Sequence, residues 1–146
     1  MNNYTVYFDG YSSPLLHRRA GYCVVIYNGP DVIRETVVAL DPAETNNIAE
    51  AEGLINALQQ LWDMKIWTRE INTKTCEIKY DKAIIYGDSK LVVDMYNGRV
   101  RLKNKGLIEI NKRIKSLKLL MNQYVEVKWV PRALNKAGLL ISERKI

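Results

Sequence analysis

The chain is poor in the residues from which thiolate, disulfide and imidazole chemistry are built, with two cysteines and one histidine among 146 residues. Cys23 and Cys76 have no second ligand nearby, so neither a redox pair nor a zinc spacing exists, and both read as reduced thiols, with Cys23 packed in a strand. No apolar run approaches the ~18 residues that a spanning helix needs; Val37–Leu40 is typical of the runs present. The N-terminal MNNYTVYFDG lacks the basic-then-apolar pattern of a signal peptide. A cytoplasmic, intracellular protein with no membrane association is expected. Internal repeats and low-complexity segments are also missing.

What remains is ordinary globular composition, 47% hydrophobic and 26% charged, at the modal length of one domain. A single domain over residues 1–146, acting as a monomer, is the expectation. The net charge of +6 points to an anionic partner. That excess is local: Arg99, Arg101, Lys103, Lys105, Lys112, Arg113, Lys115 and Lys118 stand against one acid, Glu109, in the same stretch.

Alternation of Tyr4, Val6 and Phe8 with polar or smaller neighbours predicts a strand over Tyr4–Asp9, ending at an acid and a glycine. Ala20–Tyr27 and Val32–Leu40 read as a hairpin about Asn28-Gly29-Pro30-Asp31. Thr45-Asn46-Asn47 supplies cap chemistry for a helix carrying Ile48, Ala51, Leu54, Ile55, Leu58 and Leu61. Between Trp62 and Lys82 no period is clean, and the segment reads as a loop with one short extra strand. Ala83–Gly87 is continuously apolar, as in a strand covered on both faces. Asp88-Ser89 then caps a short helix that Asn97-Gly98 ends. Leu107, Ile110, Ile114, Leu117 and Met121 mark one face of a basic helix, Tyr124–Val130 a last strand, and Ala133–Ile146 a terminal helix. Strands in a meander followed by strands alternating with helices make an α/β sheet flanked by helices.

Most of the sixteen acids must be solvated surface groups. Position separates three of them. Asp9 and Asp88 each follow an apolar strand, where open α/β sheets place ligand-binding groups. If the two strands are parallel neighbours, their ends lie only ~4.8 Å apart. Glu50 is the third: at ~100° per residue it lies about 40° from Leu54 and about 20° from Leu61, at the edge of the apolar stripe, whereas Glu52 points away. Clustered carboxylates repel unless a cation relieves them. Oxygen ligands without His or Cys suit Mg²⁺ or Mn²⁺ and not zinc. With phosphate as the natural anion, the chemistry implied is phosphodiester hydrolysis assisted by two metal ions. Taken singly, Asp9 and Asp88 read as turn and cap residues; the three together favour the metal.

These residues resemble type 1 ribonuclease H. The resemblance rests on YFDG with Asp9, AGYCVVIYNG, TNNIAE with Glu50, YGDSKLVVDMYNG with Asp88, and VKWVPRALNKA, in order over nearly the whole chain. It implies a ribonuclease H-like mixed five-stranded sheet, an antiparallel meander followed by parallel strands, flanked by helices. It also implies metal binding by Asp9, Glu50 and Asp88 and cleavage of the RNA strand of an RNA/DNA hybrid, with double-stranded RNA as a further partner. Asn46 and Asn47 would reach the minor groove near the 2′-hydroxyls and Thr45 the DNA backbone. Ser89, Arg18, Arg19, Arg101, Lys103 and Lys105 complete the expected substrate contacts.

The sequence departs from the family at its end. A fourth carboxylate is normal in a pattern of the type N-x-x-A-D. With Asn135 aligned to that asparagine the acid position falls on Leu139, or on Gly138 after a one-residue shift, and neither can bind a metal. Glu143 lies one turn further on, displaced by ~6 Å along a helix. The loop before that helix has no histidine, and His17 lies instead in the first loop. An active or weakened metal-dependent ribonuclease H is therefore the leading expectation. Two other readings compete: a hybrid- or dsRNA-binding module that has lost turnover, and a resolvase- or integrase-like nuclease on the same fold.

Overall fold

The structure is a computed structural model and describes residues 2–13, 19–40 and 45–144. Strands β1 (Asn3–Ser13), β2 (Arg19–Asn28) and β3 (Asp31–Leu40) form the antiparallel meander. Helix α1 (Asn46–Asp63) follows, then a short hairpin of β4 (Arg69–Ile71) and β5 (Ile78–Tyr80), and then β6 (Lys82–Gly87). Helices α2 (Lys90–Asn97) and α3 (Lys105–Met121), strand β7 (Val125–Trp129), a 3₁₀ turn at Arg132–Leu134 and α4 (Lys136–Arg144) complete the chain. The main sheet runs β3-β2-β1-β6-β7, with β6 parallel to both β1 and β7. This is the mixed five-stranded sheet expected from the sequence.

Two-residue alternation in β1 assigns its side chains to opposite layers. Tyr4, Val6 and Phe8 join Leu54, Leu58, Ile85, Ile114 and Val127 in the large core beneath α1, α2 and α3. Tyr7 faces the other way, where Cys23, Val25 and Ala137 pack with Leu140 and Ile141 of α4. Strand β6 carries alternately buried and half-buried residues for the same reason. No helix of the described residues is long and apolar enough to cross a membrane.

Three boundaries differ from the sequence expectation. Strand β1 does not end at Asp9; it continues to Ser13, because β2 stays paired with it as far as Ser13↔Arg19 after β6 has ended. The aperiodic stretch after α1 holds two short strands, not one, and their hairpin is tied to the domain by side chains: Arg69 donates to the Tyr124 hydroxyl at 3.3 Å and Tyr80 meets the Tyr124 ring edge-on. Such long-range contacts leave no local period to read. The last helix starts at Lys136, not Ala133, since the chain first makes the 3₁₀ turn after Pro131.

Candidate functional site

The sheet register brings the two aspartates together. Strands β1 and β6 pair in parallel up to Tyr7↔Tyr86 and run ~4.8 Å apart; Asp9, still in β1, and Asp88, just past the end of β6, each lie two residues further along, so they are level. Glu50 comes from the first turns of α1, on the other layer. It reaches the same point because Gly10 carries no side chain: a Cβ there would collide with the Glu50 backbone nitrogen and with Ala49. The glycine after Asp9 thus lets α1 lie directly on β1. Asp9 and Glu50 are each only 4% exposed, and one carboxylate oxygen from each of the three acids lies within 4.8 Å of the others.

The electrostatics of this cluster are those of a site built for a cation. Burial, the hydrogen bond shared with Asp9, and the charges of Asp9 and Asp88 push the Glu50 carboxyl up to about 10. Burial also raises Asp9, with the Asp88 charge adding to it. Glu50 Oε2 and Asp88 Oδ2 are buried without hydrogen-bond partners, a costly condition for carboxylate oxygens. A hard divalent cation would satisfy both oxygens and cancel the repulsion, so the donor set fits Mg²⁺ or Mn²⁺.

Helix α4 forms the fourth wall and resolves where the missing acid belongs. Asn135 is fully buried; its Nδ2 donates to the Phe8 carbonyl at 2.9 Å and its Oδ1 accepts from the Ala137 amide at 3.1 Å. These bonds pin the start of α4 beside Asp9. A Cβ on Gly138 would stand 2.9 Å from Asp9 Oδ2, whereas Leu139 is 50% exposed. Of the two candidate positions, Gly138 is therefore the one that faces the cluster and Leu139 is not. The side chain of Glu143 lies outside the described residues.

Thr45 is the N-cap of α1, its Oγ1 accepting from the Ile48 amide at 3.3 Å, so neither asparagine is needed for that task. Asn46 and Asn47 are exposed at the helix start, one turn before Glu50. Ser89 caps α2 in the same way, through the Val92 amide at 3.3 Å. Arg101 and Lys103 lie exposed in the link between α2 and α3, and Lys105 begins α3. That link is near the asparagines: a Cβ on Gly106 would come within 3.6 Å of Ile48 Cδ1. Arg18 and His17 lie outside the described residues; Arg19 opens β2, and its side chain is likewise not described. Sequence reasoning passed over Arg132. It is exposed in the 3₁₀ turn, and its charge acts on Asp9, holding that carboxyl down against burial. The only sequence signal was its place between a strand-ending proline and Asn135.

Comparison with known proteins agrees with this geometry. The family model described as RNase H matches residues 1–133. The bifunctional protein Rv2228c of Mycobacterium tuberculosis (strain ATCC 25618 / H37Rv) is 31% identical over 118 residues, covering 80% of this chain but 28% of the relative, so the chain spans little more than a quarter of that protein. The solved N-terminal RNase H domain of Rv2228c superposes with a TM-score of 0.70 at 27% identity, over 92% of each chain. LC11-RNase H1, solved in complex with an RNA/DNA hybrid, shares the fold with a TM-score of 0.73 at 24% identity, over 91% of this chain and 88% of that one. Asp9 on β1, Asp88 just past the end of β6, a helix-borne Glu50 and a match over nine-tenths of the length lead to one conclusion: the chain belongs to the ribonuclease H family.

Proposed function

We propose that this protein is a metal-dependent endonuclease that hydrolyses the RNA strand of RNA/DNA hybrids, with Asp9, Glu50 and Asp88 as its metal-holding, catalytic residues. The observation that carries the reading is the convergence of three carboxylates, two of them with buried and unpartnered oxygens. Mg²⁺ or Mn²⁺, as a pair of ions, would activate the attacking water and stabilise the leaving oxygen. Family membership favours this over a resolvase- or integrase-like nuclease.

The surrounding residues suit a hybrid duplex. Asn46 and Asn47 present amides that both donate and accept, as reading 2′-hydroxyls in a shallow minor groove requires. Thr45 and Ser89 stand at helix starts next to the acids and would meet backbone phosphates. Arg101, Lys103 and Lys105, with Arg18 and Arg19, would hold phosphates further out, in a salt-dependent way. Double-stranded RNA shares the A-form groove and is a weaker second partner in this reading. The protein is proposed to act as an intracellular monomer.

Gly138 favours a second reading, a hybrid-binding module with impaired turnover, because the α4 position that faces Asp9 carries no side chain. One experiment separates the two: labelled hybrid, double-stranded RNA, double-stranded DNA and a four-way junction, each with Mg²⁺ or Mn²⁺, using the wild type and Asp88→Asn. Cleavage of the hybrid by the wild type alone is expected. Equal signals from both proteins on every substrate would remove the enzyme reading, and hybrid binding without cleavage would favour the impaired module.

A further inference from the structure

Strand β7 is the outer strand of the sheet on the side of Asp88, and among the described residues no strand covers its far edge. Helix α2 stands off from that edge and leaves an open cleft of about 660 Å³. At one end is Trp129, whose indole nitrogen donates to the Asp88 backbone carbonyl at 3.0 Å. The bond fixes a ring that is 43% exposed immediately beside the acidic cluster. Arg99 and Lys128 line the rest, both exposed, and Lys90 holds its ammonium 4.8 Å from the ring centroid. Asn97 ties α2 to the strand through the Val127 carbonyl at 3.1 Å and keeps the cleft from collapsing. Two acids share the wall, Asp94 and Glu126, of which Glu126 is already paired with Lys128 at 3.4 Å.

A fixed aromatic face and three cations spaced around it together describe the chemistry that binds single-stranded nucleic acid. Bases stack on the ring without regard to sequence, and cations follow the backbone. The interior bases of a duplex cannot use the ring, because they are already stacked on one another.

We propose that the α2–β7 cleft is a subsite for single-stranded RNA continuous with the strand held at Asp88: a base from an RNA overhang stacks on Trp129, and its phosphates lie against Arg99 and Lys128. Lys90 moves from the ring to a phosphate as the base takes its place. This rests on the hybrid-nuclease reading only for the continuity of the strand; the cleft's affinity for single-stranded RNA stands separately.

The test is equilibrium binding without divalent metal, by fluorescence anisotropy of labelled probes. The probes are a blunt hybrid, the same hybrid with an RNA overhang at its 5′ or 3′ end, and a free uridine octamer. The expected result is a roughly tenfold tighter binding of one overhang polarity only, the gain that stacking of one or two bases gives. Lys128→Glu and Trp129→Leu should erase this gain, and Trp129→Phe, which keeps a ring but not the N–H, should retain most of it. Equal affinity for blunt and overhanging hybrids, or a gain that survives Trp129→Leu, overturns the proposal. So does competition by uridine monophosphate as strong as by the octamer, since the site would then hold a nucleotide and not a strand. Octamer binding that depends on Trp129, in a protein that ignores the blunt hybrid, would instead sink the hybrid reading and leave the cleft standing.

Discussion

The acidic cluster and the basic stretch from Arg99 to Lys118 are opposite kinds of electrostatic site. Asp9, Glu50 and Asp88 come from three elements and crowd into a space less than 5 Å across, with two of the three residues almost wholly buried. The basic residues come from one contiguous segment and, apart from the half-buried Lys118, which donates to the Tyr96 carbonyl at 2.8 Å, stay exposed and pair only weakly: Lys112 with Glu109 at 3.1 Å within α3, and Arg113 with Glu52 of α1 at 2.7 Å. Exposed pairs of that kind contribute little to stability. The cluster costs stability until a cation arrives, whereas the basic surface costs almost nothing and acts only when phosphates are near. Function at the first should fail abruptly on one substitution; at the second it should decline by degrees.

The sharpest way to break that contrast is Glu50→Gln. Hybrid cleavage should fall by roughly 10²–10³, the usual loss when one electrostatic element of an active site goes. In the same variant the metal-free protein should melt higher than the wild type at alkaline pH, by roughly 2–5 °C. Loss of activity with loss of stability would mean that the buried carboxylate is not strained.

Next in size is Gly138→Asp. A carboxylate there would reach the cluster beside Asp9 and should tighten Mg²⁺ binding, measured by titration calorimetry, by roughly 10-fold or more, with a parallel rise in cleavage rate. Asp9 must shift slightly to admit it, as the 2.9 Å approach requires. Leu139→Asp is the control: on an exposed face it should leave both quantities unchanged, and an equal gain there would mean that α4 is rotated.

The basic side responds less. Neutralising Arg101 and Lys103 together should weaken hybrid binding a few-fold at low salt and flatten the dependence of log affinity on log salt by about one to two units. No change in slope would show that these two face water only.

The smallest effect is a pH dependence. Glu50 titrates near 10 in the metal-free fold against about 4.3 unfolded. The folded state therefore holds the extra proton between those values, and its stability declines as pH rises through that window. Metal binding demands the ionised form, so the melting-temperature gain on adding Mg²⁺ should grow from acid to alkaline pH, by a few degrees for a domain of this size. A gain independent of pH would remove Glu50 from the metal set.

Much of this was legible in the chain. The angular position of Glu50 against Leu54 and Leu61 foretold its burial, because one helix turn fixes which side chains share a face. Residue type placed one cap within Thr45-Asn46-Asn47 and another within Asp88-Ser89, and the hydrogen bonds single out Thr45 and Ser89. The β4–β5 hairpin was not legible, since its anchor is Tyr124, more than forty residues later. Nor was Arg132, whose effect on Asp9 depends on the turn that brings α4 back across β1.

The sequence by itself determined the elements other than the β4–β5 hairpin, the three acids and the surplus of positive charge near α3, because periodicity, capping and charge are properties of neighbours along the chain. Only the tertiary structure decided that Asp9 and Asp88 stand level, that Gly10 admits Glu50 to them, and that Gly138 and not Leu139 occupies the empty fourth position. Strand register and close backbone approach are set by packing between distant segments, and a shift of one residue on α4 exchanges a side chain facing the acids for one facing water.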